Sequence, residues 1–148
     1  MSNSLNQKRR RAERTQAFLK DLQKRFPDCF AAQRKAVKPL AIGIQQALRE
    51  ALDADPETAE TPNWLIRQAL ARYTGSPAYL DAMVAGAERI DLTGQPVEPV
   101  TDAAIEVAKA RREEQKARAA ERKRQQAEAA AEARRQEKIQ RLADHFNQ

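Results

Sequence analysis

Apolar residues recur along this chain at helical spacing in several blocks, separated by proline, glycine or acidic stretches. Phe18, Leu22 and Phe26, with Leu19 beside them, predict a helix over residues 6–25. Phe26-Pro27 ends it, because the residue before a proline avoids helical dihedrals. Ile44, Leu48 and Leu52, flanked by Ala47 and Ala51, predict a second helix over residues 42–52. Residues 53–60 then read as an acidic surface loop. The third helix is predicted over residues 62–73. At about 100° per residue, Leu65, Ile66, Ala69, Leu70 and Tyr73 share one face. Trp64, Arg67, Gln68, Ala71 and Arg72 share the other, where covering a neighbouring segment is the ordinary use of the tryptophan.

Thr61-Pro62 and Ser76-Pro77 each read as an N-cap followed by proline in the first helical position, the second opening a short helix through residue 83. Residues 89–97 alternate apolar and polar around Thr93-Gly94 and predict a small hairpin. From Thr101, read as an N-cap, to the last residue there is neither glycine nor proline, and 13 residues are alanine. That composition predicts one long helix, with too little apolar content for a regular coiled-coil seam. Ile139, Leu142 and Phe146 restore apolar spacing near its end, as a short docking segment would. The expected fold is therefore mainly α: a compact helical domain with a small β-hairpin, plus a long C-terminal helix. The expected division is a basic flexible arm over residues 1–15, a domain over 16–112, and a charged, alanine-rich helical tail over 113–148.

Charge refines this picture. The 148 residues carry 27 Lys+Arg against 21 Asp+Glu, a net of +6. Residues 1–25 hold eight basic and two acidic side chains, residues 26–100 seven and ten, and residues 101–148 twelve and nine. The excess therefore lies in the flanks. A net-acidic centre has to bind any polyanion through a local patch rather than a general field. No apolar run approaches the ~20 residues of a membrane span, and the start is polar and then basic, which argues against secretion. The lone Cys29 reads as a small buried hydrophobe in a reducing compartment. The expected location is cytoplasmic.

The templates for catalysis fail in turn. There is no glycine-rich phosphate loop of nucleotide-binding type, no Cys/His cluster for zinc, and the only histidine is His145. An enzyme is not expected, nor a cofactor or metal. The positive signal is the turn Tyr73-Thr74-Gly75-Ser76-Pro77-Ala78-Tyr79. A helix opening after Ser76 presents unpaired N–H groups to a phosphate. The competing reading is that Ser76 only caps its own helix. Tyr73 reads as core, whereas Tyr79 is open between core and stacking surface.

Taken together, four ordered blocks resemble the ProQ/FinO family of bacterial RNA chaperones: residues 26–30 (FPDCF), 38–44 (KPLAIGI), 70–74 with Tyr79-Leu80 (LARYT), and 86–92 (GAERIDL). The resemblance covers about residues 17–111. It implies binding to structured RNA in small RNAs and mRNAs, at the 3′ ends of terminator hairpins, in post-transcriptional regulation. It places Tyr79 and Arg89 on a concave RNA-binding face, Arg67 on the RNA backbone, Lys38 and Gly43 in the 38–44 block, and Thr74 and Ser76 beside the 3′-terminal phosphates. The chain departs from the family at Ala41 and Asn63, where relatives often carry basic residues, and at Pro77-Ala78. Its second helix arginine is displaced: Ala71 fills the family position and Arg72 follows, turned about 100° around the helix. The chain is expected to act as a monomer, with the basic flanks adding attraction for RNA. The alternatives are a protein–protein adaptor working through the C-terminal helix, and a sequence-blind DNA-binding protein.

Overall fold

The computed structural model describes residues 2–147. Helix α1 spans Ser2–Arg25, a 3-10 turn spans Arg34–Ala36, and helices α2, α3 and α4 span Ile44–Asp53, Asn63–Thr74 and Pro77–Val84. Strands β1 (Arg89–Ile90) and β2 (Pro96–Glu98) follow, and helix α5 runs from Asp102 to Phe146. The mainly helical architecture with one small hairpin and a long C-terminal helix is as the residue pattern predicts.

The core is assembled from the faces that the periodicity singles out. Leu22 from α1, Leu48 and Leu52 from α2, and Ile66, Ala69, Leu70 and Tyr73 from α3 are buried together with Phe30, Leu40, Leu80 and Ile90. All five apolar-face residues of α3 are buried, and Arg67, Gln68, Ala71 and Arg72 are exposed. Phe18, Leu19 and Phe26 are half-buried against this core. Ala104, Ile105 and Ala108 pack onto it from the first turns of α5, which Thr101 Oγ1 caps by accepting from the Ala104 N–H at 3.2 Å.

Four local details differ from the sequence reading. The basic run Lys8-Arg9-Arg10-Arg11, expected in a flexible arm, lies within α1. Helix α2 starts two residues late, because Gly43 at its N-cap holds φ +85°, a left-handed conformation that excludes Ile42 from the helix. Pro62 is itself the cap of α3, with extended backbone, and Thr61 Oγ1 turns back to donate to Thr58 O. Residues 53–60 are more than a solvated loop. Arg25 bridges Asp21, Asp55 and Glu57, Arg49 donates to Asp53 and to the Ala59 and Thr61 carbonyls, and the buried Thr58 hydroxyl donates to Leu52 O.

Strands β1 and β2 pair antiparallel, Arg89 with Glu98 and Ile90 with Pro96. Asp91 organises the turn between them by accepting from Thr93 N–H, Thr93 Oγ1 and Gln95 N–H. These bonds, the Thr93 hydroxyl first, hold its carboxyl below the ordinary range. Gly94 combines φ +85° with a place where a Cβ would stand 2.8 Å from Asp28 Cβ, so no other residue fits there. On its other side, β1 meets residues 39–41: Ile90 N–H donates to Pro39 O and Ala41 N–H to Ile90 O.

The chain divides into two compact units, up to Arg111 and from Arg112 onward. In the second, the helix is almost wholly exposed and laced with pairs such as Glu121–Arg124 and Glu137–Arg141. Surface pairs of this kind contribute little each, so alanine-rich helix propensity does most of the work. Ile139, Leu142 and Phe146 are exposed. Met1 and Gln148, the outermost residues of the expected arm and tail, lie outside the described residues.

Two buried groups make the fold sensitive to alkali. Burial pushes the Cys29 thiol up to about 12 from 9.0, with Asp91 adding to it, and pushes Tyr73 up to about 12 from 10.0. Both groups ionise first in the unfolded chain. Their stabilisation is therefore complete below pH 9 and is lost as pH rises from there towards 12. The unfolding free energy from urea titration is expected to fall between pH 9 and 11, by up to ~1.4 kcal/mol per pH unit per group. Cys29→Ala is expected to flatten the part that begins near pH 9. An identical pH profile for Cys29→Ala and wild type contradicts the assignment. The same burial leaves Cys29 unsuited to nucleophilic chemistry.

Candidate nucleic-acid interface

The turn between α3 and α4 is resolved in favour of the local reading. Ser76 Oγ accepts from Tyr79 N–H at 3.2 Å and donates to Tyr73 O at 2.8 Å, so its side chain caps its own helix. Thr74 Oγ1 donates back to Leu70 O at 2.8 Å. Pro77 has no N–H, and Leu80 N–H is already bonded to Ser76 O. Of the amides expected to cradle a phosphate at the start of α4, only that of Ala78 has no partner among the described residues. The turn is therefore a weak anion site by itself.

The two tyrosines flanking this turn face inward. Tyr73 and Tyr79 are 5 and 6% exposed, and with Phe30 they form an edge-to-face stack at centroid distances of 5.3 and 5.8 Å. Each hydroxyl accepts a backbone N–H: Tyr73 from Ala31 at 3.1 Å and Tyr79 from Leu40 at 3.0 Å. The pair thus pins both ends of residues 31–40. A ring so enclosed presents no face to a base, and of the two readings the sequence leaves open for Tyr79 it takes the core one.

What Tyr79 holds in place is the more open part of the surface. The Leu40 backbone is gripped twice, since its N–H meets Tyr79 and its carbonyl accepts from Arg89 Nη1 at 2.9 Å. The parallel bridge between Leu40 and Ile90 completes the attachment. Lys38, Gly43 and Arg89, far apart in sequence, are thereby tied into one edge, with Lys38 exposed and Arg89 half-buried. The edge ends at the start of α2, whose Gly43 cap has no side chain to satisfy the first-turn amides. The Gln45 N–H has no partner among the described residues. One carboxylate intrudes: Glu98 Oε1 accepts from Ile42 N–H at 3.2 Å.

Arg67 reaches the same neighbourhood from α3. It lines a 270 Å³ groove with Gln45, Gln46, Arg49 and Asn63, at the first turns of α2. Arg72 does not, and lines a separate groove with Lys8, Arg11, Thr15 and Gln68, on the α1 side of α3. Ala71, the position from which this arginine is displaced, lines the same groove, so the displacement turns the side chain by about 100° without moving it to the α2 side. Among the described residues, Lys38, Arg67, Arg72 and Arg89 make no ion pair, whereas Arg25, Arg34 and Arg49 are tied to carboxylates. Four cations without acidic partners suit phosphate oxygens. The described residues include no cluster of metal-binding side chains and no helix long and apolar enough to cross a membrane.

Sequence reasoning missed the part played by Trp64. The guanidinium carbons of Arg11 and Arg14 lie 5.5 and 5.3 Å from its ring centroid. Its place on the polar face of α3 signalled that something covers it, but nothing in the sequence named α1.

Comparison with known proteins adds to this geometry. Residues 12–126 match the ProQ/FINO family. Over 96 residues, 65% of this chain, the sequence is 45% identical to the RNA chaperone ProQ of Aliivibrio fischeri, of which the match covers 44%. This chain thus spans less than half the length of that relative. Among solved structures, a ProQ homolog from Legionella pneumophila is similar with a TM-score of 0.55 and 32% identity, over 65% of this chain and 78% of that one. A FinO-like RNA chaperone from Neisseria meningitidis is similar with a TM-score of 0.53 and 26% identity, over 66% and 73%.

Proposed function

Because this chain belongs to the ProQ/FINO family, we propose that it is an RNA chaperone that binds structured RNA through the edge formed by Lys38, Gly43, Arg67 and Arg89. The observation that carries the reading is the joining of residues 38–43 to Arg89 around an α2 start without a side-chain cap, with cations that have no acidic partner among the described residues. A-form stems offer phosphates and 2′-hydroxyls, and an unpaired 3′ end offers terminal oxygens that accept from backbone N–H groups. A small edge with few charges suits that division better than it suits long duplex DNA, which rewards many phosphate contacts. The substrates are the 3′ ends of terminator hairpins in small RNAs and mRNAs, and the outcome is RNA stability and RNA–RNA pairing. The protein acts in the cytoplasm as a monomer and without catalysis.

The test is a titration at physiological salt of a hairpin with a single-stranded U-rich 3′ tail. The same hairpin with the tail moved to its 5′ end, and duplex DNA of equal length, serve as comparisons. The 3′-tailed hairpin is expected to bind at least about tenfold more tightly than either, since a phosphate-only mode of binding does not discriminate. Equal affinity for all three sinks the 3′-end reading in favour of sequence-blind DNA binding. The exposed Ile139, Leu142 and Phe146 favour an adaptor role for the tail as a second reading. On that reading, removing residues 113–148 abolishes RNA pairing activity while leaving hairpin affinity intact.

A further inference from the structure

We propose that the groove between α1 and the polar face of α3 is a second RNA-phosphate site, built around Trp64 and Arg11, which extends the binding surface across α3. The inference rests on the RNA-binding reading above. It starts from two adjoining depressions that share one residue. Gln7, Arg10, Arg11, Arg14 and Trp64 line a cavity of 320 Å³. Lys8, Arg11, Thr15, Gln68 and Arg72, with Ala12 and Ala71 between them, line one of 490 Å³. Helical geometry explains the arrangement. At about 100° per residue, positions 7, 10 and 14 fall on one side of Arg11, and positions 8, 12 and 15 on the other. Arg11 is therefore the ridge between the two depressions.

This groove collects five cations, Lys8, Arg10, Arg11, Arg14 and Arg72, none of which makes an ion pair among the described residues. The nearest acidic residue in sequence, Glu13, lies about 200° around α1 from Arg11 and so on the far side of the helix. The chain's own acidic segment is engaged elsewhere, since Asp53, Asp55 and Glu57 are held by Arg25 and Arg49. Two guanidiniums meet one indole ring, which fixes their positions while leaving their mutual repulsion uncompensated. An anion placed between them relieves that repulsion and uses planar donors already in place.

The partner is RNA and not an isolated anion, because of where the groove lies. Arg67 lines the depression on the α2 side of α3, and Arg72 lines the one on the α1 side. A helix with its side chains is only about 10–12 Å across, so one polyanion straddling α3 reaches both. Positions 71 and 72 both line this groove, and the arginine at 72 supplies its charge there.

The experiment compares charge-matched variants of the full chain, binding a hairpin RNA with a U-rich 3′ tail over a range of salt. Arg11→Gln is expected to weaken binding several-fold. Arg11→Gln with Arg14→Gln is expected to weaken it about tenfold and to lower the slope of log affinity against log salt by roughly 1.4–1.8, as loss of two phosphate contacts implies. Arg9→Gln removes the same charge from the far side of α1 and is expected to change affinity less than twofold. Trp64→Phe is expected to stay within about twofold of wild type, and Trp64→Leu to weaken binding with the slope nearly unchanged, because the ring positions the charges without carrying one. Helicity and thermal midpoint are followed for each variant, and glutamine is a good helix former, so α1 is retained. If Arg11→Gln changes affinity no more than the charge-matched Arg9→Gln, the groove is not a phosphate site. If the wild type itself fails to bind the hairpin, the RNA-binding reading fails first, and the two failures are told apart by Arg67→Ala, which weakens binding only in the former case.

Discussion

Replacing Tyr79 by alanine is expected to destabilise the fold by about 3–5 kcal/mol, the cost typical of truncating a buried aromatic side chain. The ring is 6% exposed and packs edge-on against Tyr73. Truncation also strands the Leu40 N–H, which is buried with the hydroxyl as its partner. A marginally stable domain of this size has little more than that to lose. Tyr79→Phe separates the structural role from recognition. It keeps the ring and removes only the hydroxyl, so its expected cost is about 1 kcal/mol. If Tyr79 acts only through the fold, Tyr79→Phe binds hairpin RNA within about twofold of wild type below its melting temperature. Chemical denaturation and binding measured on the same samples check both statements. A fully folded Tyr79→Ala protein with lost affinity would instead return the residue to the RNA-contacting surface.

Arg67→Ala and Arg89→Ala are each expected to reduce affinity for a 3′-tailed hairpin by about tenfold at physiological salt, since each removes a charge-assisted contact worth about 1.5–3 kcal/mol when fully made. Their structural consequences differ. Arg67 is exposed and makes no ion pair among the described residues, so its removal leaves the unfolding midpoint nearly unchanged. Arg89 also donates to Leu40 O from a half-buried position, so its removal lowers stability as well. Arg89→Lys retains charge without the planar fork and is expected to recover only part of the affinity. The salt slope is the discriminating readout: each variant should lose roughly 0.7–0.9 of a unit if it contacts one phosphate. A tenfold loss with an unchanged slope points to distortion of the 38–43 edge in place of a lost contact.

The reading of α3 illustrates what was legible beforehand. Its buried face and its polar face follow from a 3.6-residue period, and every assigned residue lies where that period puts it. The hairpin was equally plain, because Thr93-Gly94 and the flanking alternation are local signals. Capping was read less well. Ser76 was recognisable as a cap, but whether its hydroxyl also left amides for a ligand depended on which neighbours they met. The α2 start was missed for a similar reason: Ile42 continues the apolar pattern, and only the left-handed backbone at Gly43 places it outside the helix.

The candidate site was legible as a set of residues and not as an arrangement. Lys38, Gly43, Arg67 and Arg89 were singled out by resemblance. Their association depends on Leu40 pairing with Ile90, on Arg89 reaching the Leu40 carbonyl, and on the α2–α3 packing, all of which are long-range. Arg72 could be seen to be rotated, but the groove it enters exists only because α1 packs on α3.

By itself the sequence determined the helical periodicity, the short hairpin, the uneven charge and the identity of the cations, because these depend on neighbours a few residues apart. Tertiary structure decided which of those groups remain available to a partner. It enclosed Tyr79, let Ser76 consume its own capping bonds, joined the 38–43 edge to Arg89, and set Arg11 and Arg14 over Trp64. A polar group that finds an internal partner is no longer free for a ligand, and that pairing is fixed only when distant segments pack.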